Sequence, residues 1–388
     1  MSSDHRAARP LSGITVVEFG HSVAAPFAGS ILADLGARVV KVENPQGGDY
    51  ARGWGPPFWK DDASAFHALN RGKESVAADF ADPEQADRLR RFILEEADVV
   101  LQNLRAGVLD RFGLGPDELR ALKPALIWCD IGAFGATGPL SQKPGYDPLM
   151  QASSGIMSIT GHGDDDPVRV GVSIVDMGSG MWAVIGILTS LMQRAKDGQG
   201  TRVETSLDET GLAWLTIPLA GYAAAGDIRN PHGSGVGEIV PYQAFRTRTG
   251  WLMVAAGNDN LFRRLCKALD RPDLAEDARY RTNADRVVNR TGLIASIADS
   301  VTPWTAEDLA AALDAQGVPN APIYKVDQVY AAPQTRALGL IAPGDEDDLP
   351  LASIPIALDG QRPRTRRRAP KLGEHNAALD CGHRLGSE

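Results

Sequence analysis

The sequence predicts an α/β protein, a parallel sheet flanked by helices and interrupted by a smaller α/β domain. Three observations point there. Short β-branched runs alternate with helical stretches over the first half of the 388 residues. A polar, Gly-rich stretch from Asp227 to Gly237 breaks the alternation. Beyond it the pattern becomes a hairpin followed by helices.

Taken in order, Ile14 to Phe19 is a β-branched strand, Ala24 to Leu35 a helix closed by Gly36, and Arg38 to Glu43 a second strand. Ser75 to Phe80 gives a third. Asp82 and Pro83 supply a helix cap and a first-turn proline, so a helix runs to Glu96. Val99 to Leu101 and Ala125 to Ile131 add strands, and a loop rich in Gly and Pro spans 132–145. Val203 to Leu207 is a further strand. Leu212 to Ala225 is an apolar helix with a kink expected at Pro218. Tyr242 to Thr247 and Trp251 to Ala256 pair around Thr249-Gly250, and helices follow at 258–269, 289–300 and 305–316. The expected organisation is a large Rossmann-like domain over 1–225, a small inserted domain over 226–328, and a C-terminal segment, 329–388, returning to the large domain.

The chain is 43% hydrophobic and 23% charged, with a net charge of −9. That balance argues against nucleic acid or an anionic membrane as partner. The basic run Arg362 to Arg368 reads as a tail loop or a subunit contact. Cys129, Cys266 and Cys381 are scattered and odd in number, which suits a reducing compartment. The first ten residues lack an apolar core, and Met181 to Met192 is too short to span a bilayer. A soluble cytoplasmic protein is expected.

Most cofactor signatures are missing. The first strand–helix turn, Gly20-His-Ser-Val-Ala-Ala-Pro26, lacks the glycine triad that admits a dinucleotide pyrophosphate. Glu43 sits where a ribose-binding acid would sit, but without those glycines it reads as an ion-paired residue. No P-loop, nucleophile elbow or metal-ligand spacing is present. Neither a tightly bound cofactor nor a metal is expected.

The run Arg169-Val-Gly-Val-Ser-Ile-Val-Asp176-Met-Gly-Ser-Gly-Met-Trp182 stands out. It reads as a strand delivering Asp176 to a helix N-terminus, where the dipole favours an ionised carboxylate. Asp176 is then either a nucleophile toward an activated acyl group or a plain helix cap.

Order and spacing of several motifs along the chain resemble the class III CoA-transferase family, typified by formyl-CoA:oxalate CoA-transferase. They are Val16-Val-Glu-Phe-Gly-His21 with Ala25-Pro26, Gly36-Ala-Arg-Val-Val-Lys-Val-Glu43, and Gly48-Asp49 with Arg52-Gly53. Asn70-Arg71-Gly-Lys73, Gln102-Asn103, Leu109-Asp-Arg111, Gly145-Tyr-Asp147, Asp176-Met-Gly-Ser-Gly-Met181 and Gly198-Gln-Gly200 complete the set.

The resemblance implies that Asp176 is acylated by a CoA thioester and then carries CoA itself as an aspartyl thioester. Oxyanion donors are expected at the Gly178 to Gly180 turn. Asp147 matches a site glutamate, or is a turn residue. Val23 stands where a substrate-binding Gln is found, which leaves a less polar pocket beside His21. Gly233, Gly235 and Gly237 resemble a mobile shielding loop, or form a linker. Asn103 and Leu104 match the adenine region and Arg111 a nucleotide contact, with Arg71 and Lys73 as further phosphate candidates. Succinyl-CoA is a reasonable donor and a small dicarboxylate a reasonable acceptor. The same fold also houses 2-methylacyl-CoA racemases, which place a His where Tyr146 stands here, and a non-catalytic acyl-CoA binder is a further alternative. An interlocked homodimer is implied as well.

Overall fold

Six strands form one sheet in which every neighbouring pair is parallel. They are β1 (Thr15–Phe19), β2 (Arg38–Glu43), β3 (Glu74–Ala77), β4 (Val99–Gln102), β5 (Ile127–Gly132) and β6 (Arg202–Ser206), in the spatial order β3-β2-β1-β4-β5-β6. The structure is a computed structural model and describes residues 9–163, 166–342, 349–365 and 367–380. The first eight residues, Arg366 of the basic run and Cys381 lie outside these.

A parallel sheet is covered on both faces, so its strands read as continuous apolar runs. Val16, Val17, Val40, Val99 and Val100 are accordingly fully buried. The helices that cover it are α1 (Ala24–Asp34), α2 (Ser64–Asn70), α3 (Pro83–Glu96), α4 (Pro116–Leu122), α5 (Asp147–Ser153), α6 (Ile174–Asp197) and α7 (Leu207–Trp214). Asp82 caps α3 by accepting from the Glu84 amide, as its sequence suggested.

Two charged residues sit in the middle of this apolar sheet. Glu18 and Lys41, on adjacent strands and wholly buried, pair at 2.9 Å. Lys73 holds the other Glu18 oxygen at 2.7 Å, and Asp49 holds Lys41 at 2.9 Å. Glu43 pairs with Arg52 at 2.7 Å, and Arg52 reaches Asp62 at 2.8 Å. Each buried carboxylate here has its own cation, the condition under which buried charge is tolerated.

α6 is 24 residues long and ends at Gly198 in the left-handed conformation (φ 76°). Alone among the described residues it is long and apolar enough to cross a membrane, which corrects the expectation of a stretch too short to do so. One face of it is instead buried, through Gly178, Ser179, Gly180, Ala183 and Ile187. A Cβ at Gly180 would meet the Ala24 carbonyl oxygen at 2.7 Å, so α6 lies directly on α1. The apolar helix expected from Leu212 onward is two helices, α7 and one over Thr216–Ala225. The Pro218 ring opposes the Trp214 carbonyl four residues earlier, and α7 stops there.

The chain divides into two units. One holds 1–154, 171–215 and 334–388, and the other 155–170 and 216–333. These seams differ from those expected at 226 and 329, and the segment 155–170 goes with the second unit. That unit carries an antiparallel sheet of β7 (Tyr242–Arg246), β8 (Trp251–Ala255) and β9 (Asn320–Pro322), with β8 in the centre. Its core includes Phe245, Phe262, Leu265, Leu293, Ile297 and Leu309.

Candidate active site

The strand order reverses at β1 and β4, whose connections leave in opposite directions. In open parallel sheets this leaves a crevice beyond the carboxyl ends of the strands, the usual ligand site. Here the crevice is a cleft of about 780 Å³, lined by the loops after β1 and β4, the 132–146 segment and Asp176.

Asn103 joins the two loops. Its Oδ1 accepts the His21 amide at 3.1 Å and its Nδ2 donates to the His21 carbonyl at 3.0 Å. Ser22, the next residue, is in the left-handed region (φ 68°), and its amide donates to Asp49 at 2.9 Å. Lys41 donates to the Gly20 carbonyl at 2.6 Å, so the buried charge cluster ends directly beneath this turn. The His21 ring packs edge-on against Tyr50, with centroids 5.3 Å apart. Burial pushes the His21 pKa down against the opposing pull of Asp49, which keeps the imidazole neutral near pH 7.

Asp176 lines the cleft from the first turn of α6. The strand expected just before it does not form: Val168 and Val172 are exposed, and no neighbouring strand pairs with them. Gly178 to Gly180 is likewise no turn. These residues lie inside α6, where their amides serve the helix, so they supply no oxyanion donors.

Asp147, 2% exposed in the first turn of α5, takes the free amides at the start of α6. Its Oδ1 accepts from Val175 at 2.8 Å and Asp176 at 3.3 Å, and its Oδ2 from Gln151 Nε2 at 2.6 Å. It is neither a turn residue nor a group that lines the cleft. The Asp176 carboxyl accepts no hydrogen bond from any described residue. Burial first, and the Asp147 charge second, push its pKa up to about 7. This reverses the expectation of a carboxylate that the helix end keeps ionised, because the helix end is already spent on Asp147.

The other expected residues divide. His21, Val23, Tyr146, Asn103 and Leu104 all line the cleft. Arg111 is exposed and does not, although its neighbours Leu109 and Asp110 do. Arg71 and Lys73 do not line the cleft and already have partners within the chain. Arg71 is tied to Asp34 at 2.5 Å and to the Ala68 carbonyl, and Lys73 is fully buried between Glu18, Asn70 and the Pro26 carbonyl. Among the described residues three exposed cations line the cleft, Arg105, Lys143 and Arg202, of which Arg202 is paired with Asp130 and Glu204; sequence reasoning missed all three. Arg105 lies two residues after Asn103, and Lys143 lies in the Gly/Pro-rich loop; those positions were the available signals. Gly233, Gly235 and Gly237 lie in the second unit. There the Gly233 amide donates to Gly161, the Gly235 amide to His232, and the Gly237 carbonyl accepts from Arg290. Among the described residues no three His, Cys, Asp or Glu side chains are grouped to hold a metal.

A cleft at the switch point of a parallel sheet is where open α/β folds bind nucleotide-type ligands, and Asp176 stands on its wall. The chain belongs to CoA-transferase family III, whose model matches residues 11–376. It is 39% identical to the succinate–glutarate CoA-transferase of Agrobacterium fabrum, over 95% of this chain and 94% of that one. The human succinyl-CoA:glutarate CoA-transferase is 35% identical, over 97% and 86% of the two chains. The acetyl-CoA:oxalate CoA-transferase of Acetobacter aceti is 35% identical over 95% of each. Among solved structures, a CaiB/BaiF family protein from Brucella suis matches with a TM-score of 0.88 at 38% identity, over 97% of this chain and 99% of that chain. The enzyme class that the motifs suggested, an acyl-CoA:carboxylate CoA-transferase, is the class these curated relatives carry in their names.

Proposed function

We propose that this chain moves CoA from succinyl-CoA to a short dicarboxylate such as glutarate, with Asp176 as the covalent carrier. The observation that carries the reading is the Asp176 carboxyl: it faces the cleft, no described donor holds it, and its pKa is raised to about 7. Such a group is substantially ionised at neutral pH and a stronger nucleophile than an ordinary carboxylate.

The steps balance without an outside reagent. An Asp176 oxygen attacks the thioester carbonyl carbon; the C–S bond breaks, leaving a mixed anhydride and CoA thiolate. The thiolate attacks the Asp176 carbonyl carbon and expels succinate, giving an aspartyl-CoA thioester. The acceptor carboxylate attacks that carbon and releases the thiolate, forming a second anhydride. The thiolate then attacks the acceptor's acyl carbon, and Asp176 leaves as a carboxylate. Splitting one exchange into four displacements lowers each barrier. Asn103, Leu104, Arg105 and Lys143 are suited to the CoA nucleotide end, since its phosphates need cations. The names of the relatives from Agrobacterium fabrum and human support the acid pair.

Mass spectrometry of succinyl-CoA incubated with a panel of free acids tests the reading. Glutaryl-CoA should form, and hydroxylamine added during turnover should leave a hydroxamate on Asp176. Deuterium entering the α-carbon of a 2-methylacyl-CoA with no acceptor present would instead make the chain a racemase. The reading includes a homodimer, supported by large apolar side chains exposed along α6 (Met181, Trp182 and Ile185). Sedimentation should then give twice the 41.4 kDa chain mass.

A further inference from the structure

Beside the nucleotide end of the cleft lies a side-chain cluster that none of the steps above uses. Gln102 ends β4 and pairs in register with Asp130 on β5. Gln102 Nε2 donates to Asp130 Oδ1 at 2.5 Å, and its Oε1 accepts the Leu104 amide at 2.7 Å. Asp130 Oδ1 also accepts Trp128 Nε1 at 2.7 Å, and its Oδ2 accepts Arg202 Nε at 3.0 Å. Three donors from three different residues thus converge on one carboxylate.

An amide side chain can present either its oxygen or its NH₂ to a neighbour, but a carboxylate can only accept. Asp130 therefore forces the NH₂ of Gln102 toward itself and the amide oxygen toward Leu104. The Leu104 amide sits in the loop that carries Asn103 and Arg105 along the cleft. We infer that Asp130 is a positioning residue for CoA: by fixing the orientation of Gln102, it sets the 103–105 loop that receives the nucleotide half of the substrate. The inference rests on the CoA-transferase reading of this cleft. It adds a specificity element remote from Asp176, which helps the enzyme to distinguish acyl-CoA from a shorter acyl thioester.

Because Asp130 acts only on the end of the ligand that does not react, its loss should raise KM and spare kcat. The test compares succinyl-CoA with succinyl-pantetheine, which lacks the nucleotide, in the wild type, Asp130→Ala and Asp130→Asn. Asp130→Ala should raise KM for succinyl-CoA by about tenfold, the scale of one lost ordering interaction, with kcat within about twofold. Its kcat/KM for succinyl-pantetheine should match the wild type. Asp130→Asn still offers one oxygen to Gln102 and Trp128 and should recover most of the loss. Gln102→Ala should reproduce the Asp130→Ala pattern, which keeps the test open if Asp130→Ala folds poorly. Equal losses on both substrates would make Asp130 a general structural residue and overturn the inference. A wild type that treats both substrates alike would instead overturn the placement of the nucleotide in this cleft.

Discussion

The charges beneath β1 are fully buried, while at the start of α6 Asp147 is buried and Asp176 half-buried, and the two regions meet the cost of withdrawing charge from water in opposite ways. Under β1, Glu18 is held by two lysines, Asp49 by Lys41 and Glu43 by Arg52. At α6, Asp147 and Asp176 share a site with no ion pair to either among the described residues. Asp147 is satisfied by amides, and Asp176 is left to hold its proton up to about pH 7. Buried charge that is matched builds the scaffold, whereas buried charge left unmatched stores reactivity.

The largest expected effect is on catalysis. Asp176→Ala should lower CoA exchange by about four orders of magnitude while leaving the fold intact, as a mass-spectrometric rate assay and circular dichroism would show. A variant with residual exchange near the wild-type rate would remove Asp176 from the chemistry. Next is Lys41→Met, which strands Asp49 without a cation. It should cost about 3–5 kcal/mol in urea unfolding, because a broken buried pair leaves an uncompensated charge.

The unmatched pair should show itself through pH. The kcat/KM profile should carry an acidic limb near 7, the pKa of Asp176. Asp147→Asn keeps an oxygen for the Val175 amide but removes the repelling charge, so the limb should move to lower pH. A limb that stays in place would mean that Asp147 does not act on Asp176. Stability follows the same sign. The folded state binds more protons than the unfolded one between the ordinary value of 3.8 and about 7, so stability falls as pH rises through that window. Asp176→Asn should lack this component when Tm is followed against pH. The smallest effect is at the rim. Arg105→Ala or Lys143→Ala should raise KM for acyl-CoA severalfold, less at high salt, because exposed charges are screened.

The sheet was legible because buried parallel strands are written as β-branched runs, and the β2, β4, β5 and β6 segments lie close to where those runs predict. The Asp82–Pro83 cap needed no tertiary information. What failed depended on distant partners. The 169–175 run has strand-like composition but no strand beside it, and β propensity without a neighbour has nothing to satisfy. That Arg71 and Lys73 pair with Asp34 and Glu18, on other elements, was equally out of reach of the sequence. Asp147 was recognised as important, yet its role as the cap of another helix depends on a fold-level meeting of α5 and α6. Asp130 gave no signal at all, since its meaning depends on strand register.

Two of the glycines of α6, Gly178 and Gly180, have a mechanical consequence. Side chains at Gly178 and Gly180 would strike Trp214 and the Ala24 carbonyl at 2.8 and 2.7 Å, so the helix rests at the nearest approach its backbone permits. Asp176 is rooted one turn away on that same rod, and α1 begins directly after the His21 turn. Nucleophile and cleft wall are thereby clamped to one another with no slack. A single added methyl at position 180 would act as a shim, prising the reactive oxygen away from the thioester without altering any group that takes part in the chemistry.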